Sequence, residues 1–203
     1  MPKLGMKPLR RQQLIDATLR SISERGLQNT TIVSISKIAG MSSGIISHYF
    51  GGKKELIEET VSYLLDQLQQ SLLERITEEN PPAHTRLNLI VEANFTEFQR
   101  SILATKTWLS FWAMSMHDPA MARLQSINSN RLYSNLLFSF KELLDPEIAA
   151  NAAKQTASMI DGFWLRSALS ENSEEEFITA ELLCKKFIND VIKQEMSNAS
   201  NQI

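Results

Sequence analysis

"TTIVSISKIAGMSSGIISHYFGGKKEL", residues Thr30 to Leu56, is the stretch on which the fold turns. Two short apolar runs flank Gly40-Met41-Ser42, and the second ends in His48-Tyr49-Phe50, a glycine pair and two lysines. "TTIVSI" is β-branched and could pass for a strand. Its isoleucines at 32, 35 and 38 recur every third residue, and no partner strand is in view, so the spacing predicts a short helix. A second helix is predicted from Ser43 to Phe50. Two short helices around a glycine break have the size of a helix-turn-helix. Thr31 and Ser42 stand where a hydroxyl caps a helix start, and a capped start suits a phosphate oxygen. Gly44 lacks a β-carbon, which lets the backbone come close to a groove wall. Ser43 and Ser47 lie four apart on one face. His48 and Tyr49 end the helix with groups that bond phosphate, and Gly51-Gly52 supplies a left-handed exit. Ile45, Ile46 and Phe50 suit the core of a small three-helix unit. Lys53 and Lys54 open the next helix, at the end where the dipole disfavours cations. That placement makes sense if they face phosphate.

The charge distribution points the same way. Up to residue 55 the chain has nine Lys and Arg against three Asp and Glu, and beyond it twelve against twenty. A basic front on an acidic body implies that the front meets a polyanion. The composition is that of an ordinary globular protein, 43% hydrophobic and 22% charged over 203 residues. No apolar run approaches the roughly 20 residues of a membrane span, and the start is not that of a signal peptide. Cys184 is the single cysteine, which excludes an internal disulfide and fits a reducing cytoplasm. The three histidines, His48, His84 and His117, have no metal-ligand spacing, and there is no glycine-rich phosphate loop. An enzyme is therefore disfavoured, no cofactor or metal is implied, and a helical scaffold indifferent to DNA sits badly with the front-loaded charge.

Glycine and proline breakers divide the rest into helices with apolar residues three and four apart. Nine are predicted: 7–25, 32–39, 43–50, 53–77, 83–99, 101–117, 119–143, 146–170 and 174–195. Pro119 and Pro146 fall in first turns, each after an aspartate that can cap. The fold class is all-α, with a DNA-binding head at 1–52 and a ligand-binding and dimerisation body at 53–203.

The opening stretch resembles the DNA-binding signature of the TetR family of bacterial repressors. The resemblance is carried by Thr31, Ile35-Ser36, Ala39-Gly40-Met41-Ser42, Gly44, Tyr49-Phe50 and Lys53, with Ser36 in place of the usual alanine and Met41 of the usual valine. "WLSFWAMSMHDP" and "IDGFWLRSALS", with "GIISHYF" and the basic start, are similar to the choline-responsive branch of that family, which represses glycine-betaine synthesis under the control of osmotic stress. The resemblance implies a homodimer on a palindromic operator, each third helix in a major groove, with half-sites about one helical turn or a multiple apart. On this reading Arg10, Arg11, Thr31, Ser42, His48, Tyr49, Lys53 and Lys54 hold phosphates. Ser43, Gly44, Ile45 and Ser47 face base edges. A reading set without Arg or Asn leans on methyl contacts and DNA shape.

The resemblance also implies choline as effector. Trp108, Phe111, Trp112 and Ser115 share one helical face, and aromatic faces attract a quaternary ammonium. Asn94 and Glu97 are polar partners for it. The same spacing serves a plain core stripe, and a related regulator could take another cationic or lipophilic ligand. For the dimer, the eighth predicted helix has two apolar stripes, one of them through Ala152, Thr156, Met159 and Phe163. Phe177, Cys184 and Phe187 supply a face on the ninth. A helix with two apolar faces must bury both, one of them against a partner.

Overall fold

A computed structural model describes residues 6–76 and 80–200. Those residues contain no strand and form ten helical segments: α1 (Met6–Arg25), α2 (Ile32–Ala39), α3 (Gly44–Phe50), α4 (Lys53–Arg75), α5 (Ala83–Asn94), α6 (Glu97–Arg100), α7 (Ile102–Ser115), α8 (Pro119–Phe140), α9 (Pro146–Ala168) and α10 (Ser173–Ser200). The all-α expectation holds. The extra segment is the single turn α6, because the helix expected over 83–99 breaks at Phe95. That ring turns into the core against Phe177, 6.4 Å between centroids. Thr96 then caps a new turn, its hydroxyl accepting from the Gln99 N–H at 3.2 Å. The ends of the predicted 53–77 helix beyond Ile76 lie outside the described residues.

The chain divides into two compact units. One runs to Gln67 and takes up Ser101–Gln125; the other holds Leu68–Arg100 and everything from Ser126 on. In the first, Leu14, Ile15, Ala17, Ile35, Ile46 and Leu56 form the core of the amino-terminal helices, and Ile38, Met41, Ile45, Tyr49 and Phe50 pack against it half-buried. Burying each large aliphatic side chain is worth about 1.5–3 kcal/mol, so this small cluster is what makes three short helices stable together. α2 opens with a full capping box: Thr31 accepts from the Ser34 N–H, and Ser34 accepts from the Thr31 N–H. It closes at Gly40, φ +64°, where the Met41 N–H returns to the Ser36 carbonyl at 2.9 Å.

Hydroxyls lock these helices to one another. Ser21 on α1 meets Thr30 at 3.2 Å and Ser34 at 2.9 Å, and Ser36 on α2 meets Ser43 at 3.0 Å just before α3. α7 packs on α1, and the Lys106 ammonium donates to the Ser23 carbonyl at 2.7 Å.

In the second unit α10 packs along α9 and against α5. Trp164 and Phe177 meet at 5.8 Å over a core that includes Leu87, Val91, Leu136, Phe140, Ile160 and Ile188. Lys185 donates to Glu92 and Glu181, both at 2.7 Å, and so pins α5 to α10.

Candidate nucleic-acid interface and ligand cavity

Around α3 the exposed groups are Ser42, Ser43, Gly44, Ser47 and His48, and Thr31 is exposed at the start of α2. They form a polar edge on a rigid three-helix core. The His48 ring stands edge-on to Tyr49, 5.0 Å apart. Several expected contacts have other work. The Ser43 hydroxyl is held by Ser36, whereas the Ser47 hydroxyl, the other one predicted to read bases, has no partner among the described residues. Ile45 leans on the core cluster, as does Tyr49. Ser42 does not cap α3, which begins without a side-chain cap.

Arg11 has internal partners. It was expected on phosphate, yet its guanidinium donates to the Tyr49 carbonyl at 2.7 Å and to Glu59 at 2.6 Å, and lies 4.4 Å from the centre of the Phe50 ring. It staples α1 to the end of α3 and to α4. No charge pattern along the chain could have revealed partners 38 and 48 residues away. Arg10 and Lys53 make no ion pair among the described residues and stay available to a polyanion.

Lys54 has an internal partner that the sequence did not suggest. Its ammonium lies 3.2 Å from Asp118 Oδ2 and 3.8 Å from Glu58. Asp118 meanwhile caps α8 with Oδ1, accepting from the N–H groups of Ala120 at 2.8 Å and Met121 at 3.2 Å. The hydrogen bond from the Met121 N–H, then that from Lys54, holds the Asp118 carboxyl below the usual carboxylate range; the hydrogen bond to Asp118 raises Lys54. The predicted aspartate cap is thus present at Asp118. Asp145 instead uses only its backbone carbonyl, which accepts from the Ala149 N–H at 2.8 Å.

Of the expected aromatic cage, Trp108 and Phe111 are 4% and 1% exposed and pack on each other in the first unit, 5.7 Å apart. Trp112 stands beside Trp108 at 6.3 Å, and the Ser115 hydroxyl donates to the Trp112 carbonyl. Asn94 and Glu97 belong to the second unit, Glu97 exposed on α6.

Asn94 does line a cavity, one of about 420 Å³ lying wholly within the second unit. Its apolar wall is Leu68, Leu72, Leu73, Ile76, Leu89 and Ile90; its polar groups are the amides of Gln69, Asn94, Asn128 and Asn135, with Arg86 and Arg131. Among the described residues none that lines it is acidic. Arg86 is occupied by Glu142, by the Pro81 carbonyl at 2.6 Å and by the Phe138 ring, whereas Arg131 donates to Gln69 at 2.8 Å. The volume falls within the range of sites for small organic molecules.

The residues of the expected dimer stripe differ in exposure. Ala152, Thr156, Phe177 and Cys184 are buried inside their own unit, and Met159, Phe163 and Phe187 are half-buried. The large apolar residues exposed here are others: Leu165 on α9, Leu169 just past its end, and Ile178, Leu182, Leu183 and Met196 on α10.

An exposed helix-turn-helix edge and a ligand-sized cavity, among described residues that form helices and no strand, are the features of a transcriptional regulator. Residues 14–60 match the family model described as bacterial regulatory proteins, tetR family. Residues 83–193 match that for the carboxy-terminal part of BetI-type transcriptional repressors. The chain belongs to the TetR family and is a transcriptional repressor of the BetI type, not an enzyme. Among curated relatives, the HTH-type transcriptional regulator BetI of Pectobacterium atrosepticum is 50% identical over 175 residues, covering 85% of this chain and 89% of that one. Among solved structures, a transcriptional regulator from Pseudomonas aeruginosa PAO1 superposes with a TM-score of 0.79 at 24% identity, covering 94% of this chain and 93% of the other. A regulator from Saccharomonospora viridis, solved in complex with choline, gives 0.77 at 19% identity, covering 90% and 96%. At these identities the two structures speak for the fold.

Proposed function

We propose that the chain represses genes for glycine-betaine synthesis by binding a palindromic operator as a homodimer, with choline as effector. The observation that carries the DNA side is the exposed hydroxyl-and-glycine edge of α3, set on a buried core and flanked by Arg10 and Lys53, which make no ion pair among the described residues. Residues 1–52 read the operator. Ser47, Gly44 and the edge of Ile45 face bases, while Arg10, Thr31, Ser42, His48, Tyr49 and Lys53 hold phosphates. Residues 53–203 take the effector and the partner subunit, and the protein works in the cytoplasm. Leu165, Leu169, Ile178, Leu182 and Leu183 meet the partner, with Met159, Phe163 and Phe187 at the margin. Exposed apolar side chains clustered on two helices call for a cover, and a second copy supplies it.

The choline reading is supported by the BetI relatives and by the choline-bound neighbour. Within this chain its place is the 420 Å³ cavity of the second unit, where amide oxygens of Asn94, Asn128 and Asn135 replace the water around a quaternary ammonium. The apolar wall and Arg131 favour a second reading, a larger lipophilic or acidic effector. Fluorescence anisotropy of the dimer on its own upstream DNA decides between them. Choline at millimolar concentration should change the affinity or the shape of the complex. If it does neither and an amphipathic carboxylate does, the effector is of the second kind. If the protein ignores that DNA at low ionic strength, the repressor reading is lost.

A further inference from the structure

Lys54 has two anions to choose from. In the free chain its ammonium rests on Asp118 Oδ2 at 3.2 Å, with Glu58 behind at 3.8 Å. It is also the second residue of α4, next to Lys53 and four residues past the end of α3, in the part of the head that meets a phosphate backbone. Asp118 is fixed in place. Its Oδ1 is committed to the cap of α8, its own N–H donates to the Met114 carbonyl at 2.9 Å, and its carbonyl accepts from the Ala122 N–H at 2.9 Å. Lys54, by contrast, has a side chain 63% exposed on a flexible stem. The carboxylate cannot follow the lysine, but the lysine can leave the carboxylate.

We propose that Asp118 is a positioning residue that holds Lys54 in reserve: on DNA binding Lys54 exchanges the Asp118 carboxylate for a backbone phosphate, so that Asp118 sets the operator affinity from the corner between α7 and α8 without touching DNA. The proposal rests on the reading of the head as a DNA-binding module. An internal anion that must be given up weakens binding by the strength of the pair it forms, and an exposed pair of this type is worth about two- to fivefold in an equilibrium constant.

The test uses the full-length protein and a labelled duplex of mixed sequence, since a phosphate contact does not depend on base order. Asp118→Asn and Asp118→Ser remove the charge and keep a side chain able to cap α8. Both are expected to bind the duplex about two- to fivefold more tightly at low salt, with unchanged thermal midpoints. Lys54→Gln is expected to weaken binding and to flatten the salt dependence by about 0.9 in log–log slope. In the Lys54→Gln background, Asp118→Asn should have no effect left. Unchanged or weaker binding by both Asp118 variants overturns the proposal. So does a gain that survives intact in the Lys54→Gln background, since Asp118 would then act on DNA as a distant repulsive charge. Failure of the unmodified protein to bind any duplex overturns the DNA-binding reading itself, and is told apart from the other outcomes by that fact alone.

Discussion

Replacing Arg11 by Ala separates a structural staple from a phosphate ligand. The guanidinium makes a charge-assisted hydrogen bond to the Tyr49 carbonyl, an ion pair with Glu59 and a cation–π contact with Phe50. The hydrogen bond is worth about 1.5–3 kcal/mol and the ring contact about 0.5–1 kcal/mol. The ion pair adds about 0.2–1 kcal/mol, toward the low end because Arg11 and Glu59 are 32% and 45% exposed. One side chain makes all three contacts, so they do not add fully, and a net loss of about 2 kcal/mol is expected. For a chain of this size that lowers the thermal midpoint by about 4–8 °C. Arg11→Lys should recover only part of it, since an ammonium lacks the planar, pre-organised fork of the guanidinium and stacks less well on the Phe50 ring. Circular-dichroism melts at equal protein concentration measure the shift, and duplex binding against salt is measured alongside. The structure requires a lower midpoint with the salt slope nearly intact. An unchanged midpoint with a slope shallower by about 0.9 would identify Arg11 as a phosphate contact and refute the reasoning.

Lys53→Ala should flatten the salt dependence of binding by about 0.9 without altering sequence preference, as read from anisotropy on two unrelated duplexes. Leu182→Glu, at a position 62% exposed on α10, should yield monomers in sedimentation at micromolar concentration, whereas Ala152→Ser, buried inside the unit, should leave the dimer in place. Phe111→Ala should cost about 3–5 kcal/mol of stability, seen in urea unfolding, and should not abolish the effector response once the protein is folded. Burial, helped by the Glu181 carboxylate, pushes the Cys184 thiol up to about 12, so native protein should resist alkylation at neutral pH and react only on unfolding.

The head was legible because its signals are local. The three-residue rhythm of Ile32, Ile35 and Ile38, the Thr31 cap and the Gly40 stop all act within a few residues, and α2 and α3 lie where that rhythm places them. What escaped was long-range. Lys54 and Asp118 are 64 positions apart in number yet share an ion pair, and nothing near either residue announces the other. α9 carries two apolar stripes, and periodicity alone cannot say which residues of either a neighbouring helix of the same chain covers; Ala152 and Thr156 of one stripe and Ala153, Ile160 and Trp164 of the other are all buried, with Phe177 of α10 against Trp164. The aromatic face of α7 posed the same ambiguity, and for Trp108 and Phe111 packing claimed it. The break after Asn94 was readable in principle, since Thr96 and Gln99 have the spacing of a capping pair.

The clasps Ser21–Thr30–Ser34 and Ser36–Ser43 are uncharged, and they join α1, α2 and the approach to α3. Mobile ions do not weaken a bond between neutral hydroxyls as they weaken an attraction between exposed charges. These clasps therefore hold α1, α2 and the approach to α3 together at salt concentrations that weaken the exposed Arg11–Glu59 pair beside them. On the proposed reading, a rise in ionic strength loosens the grip on phosphates before it loosens these joints.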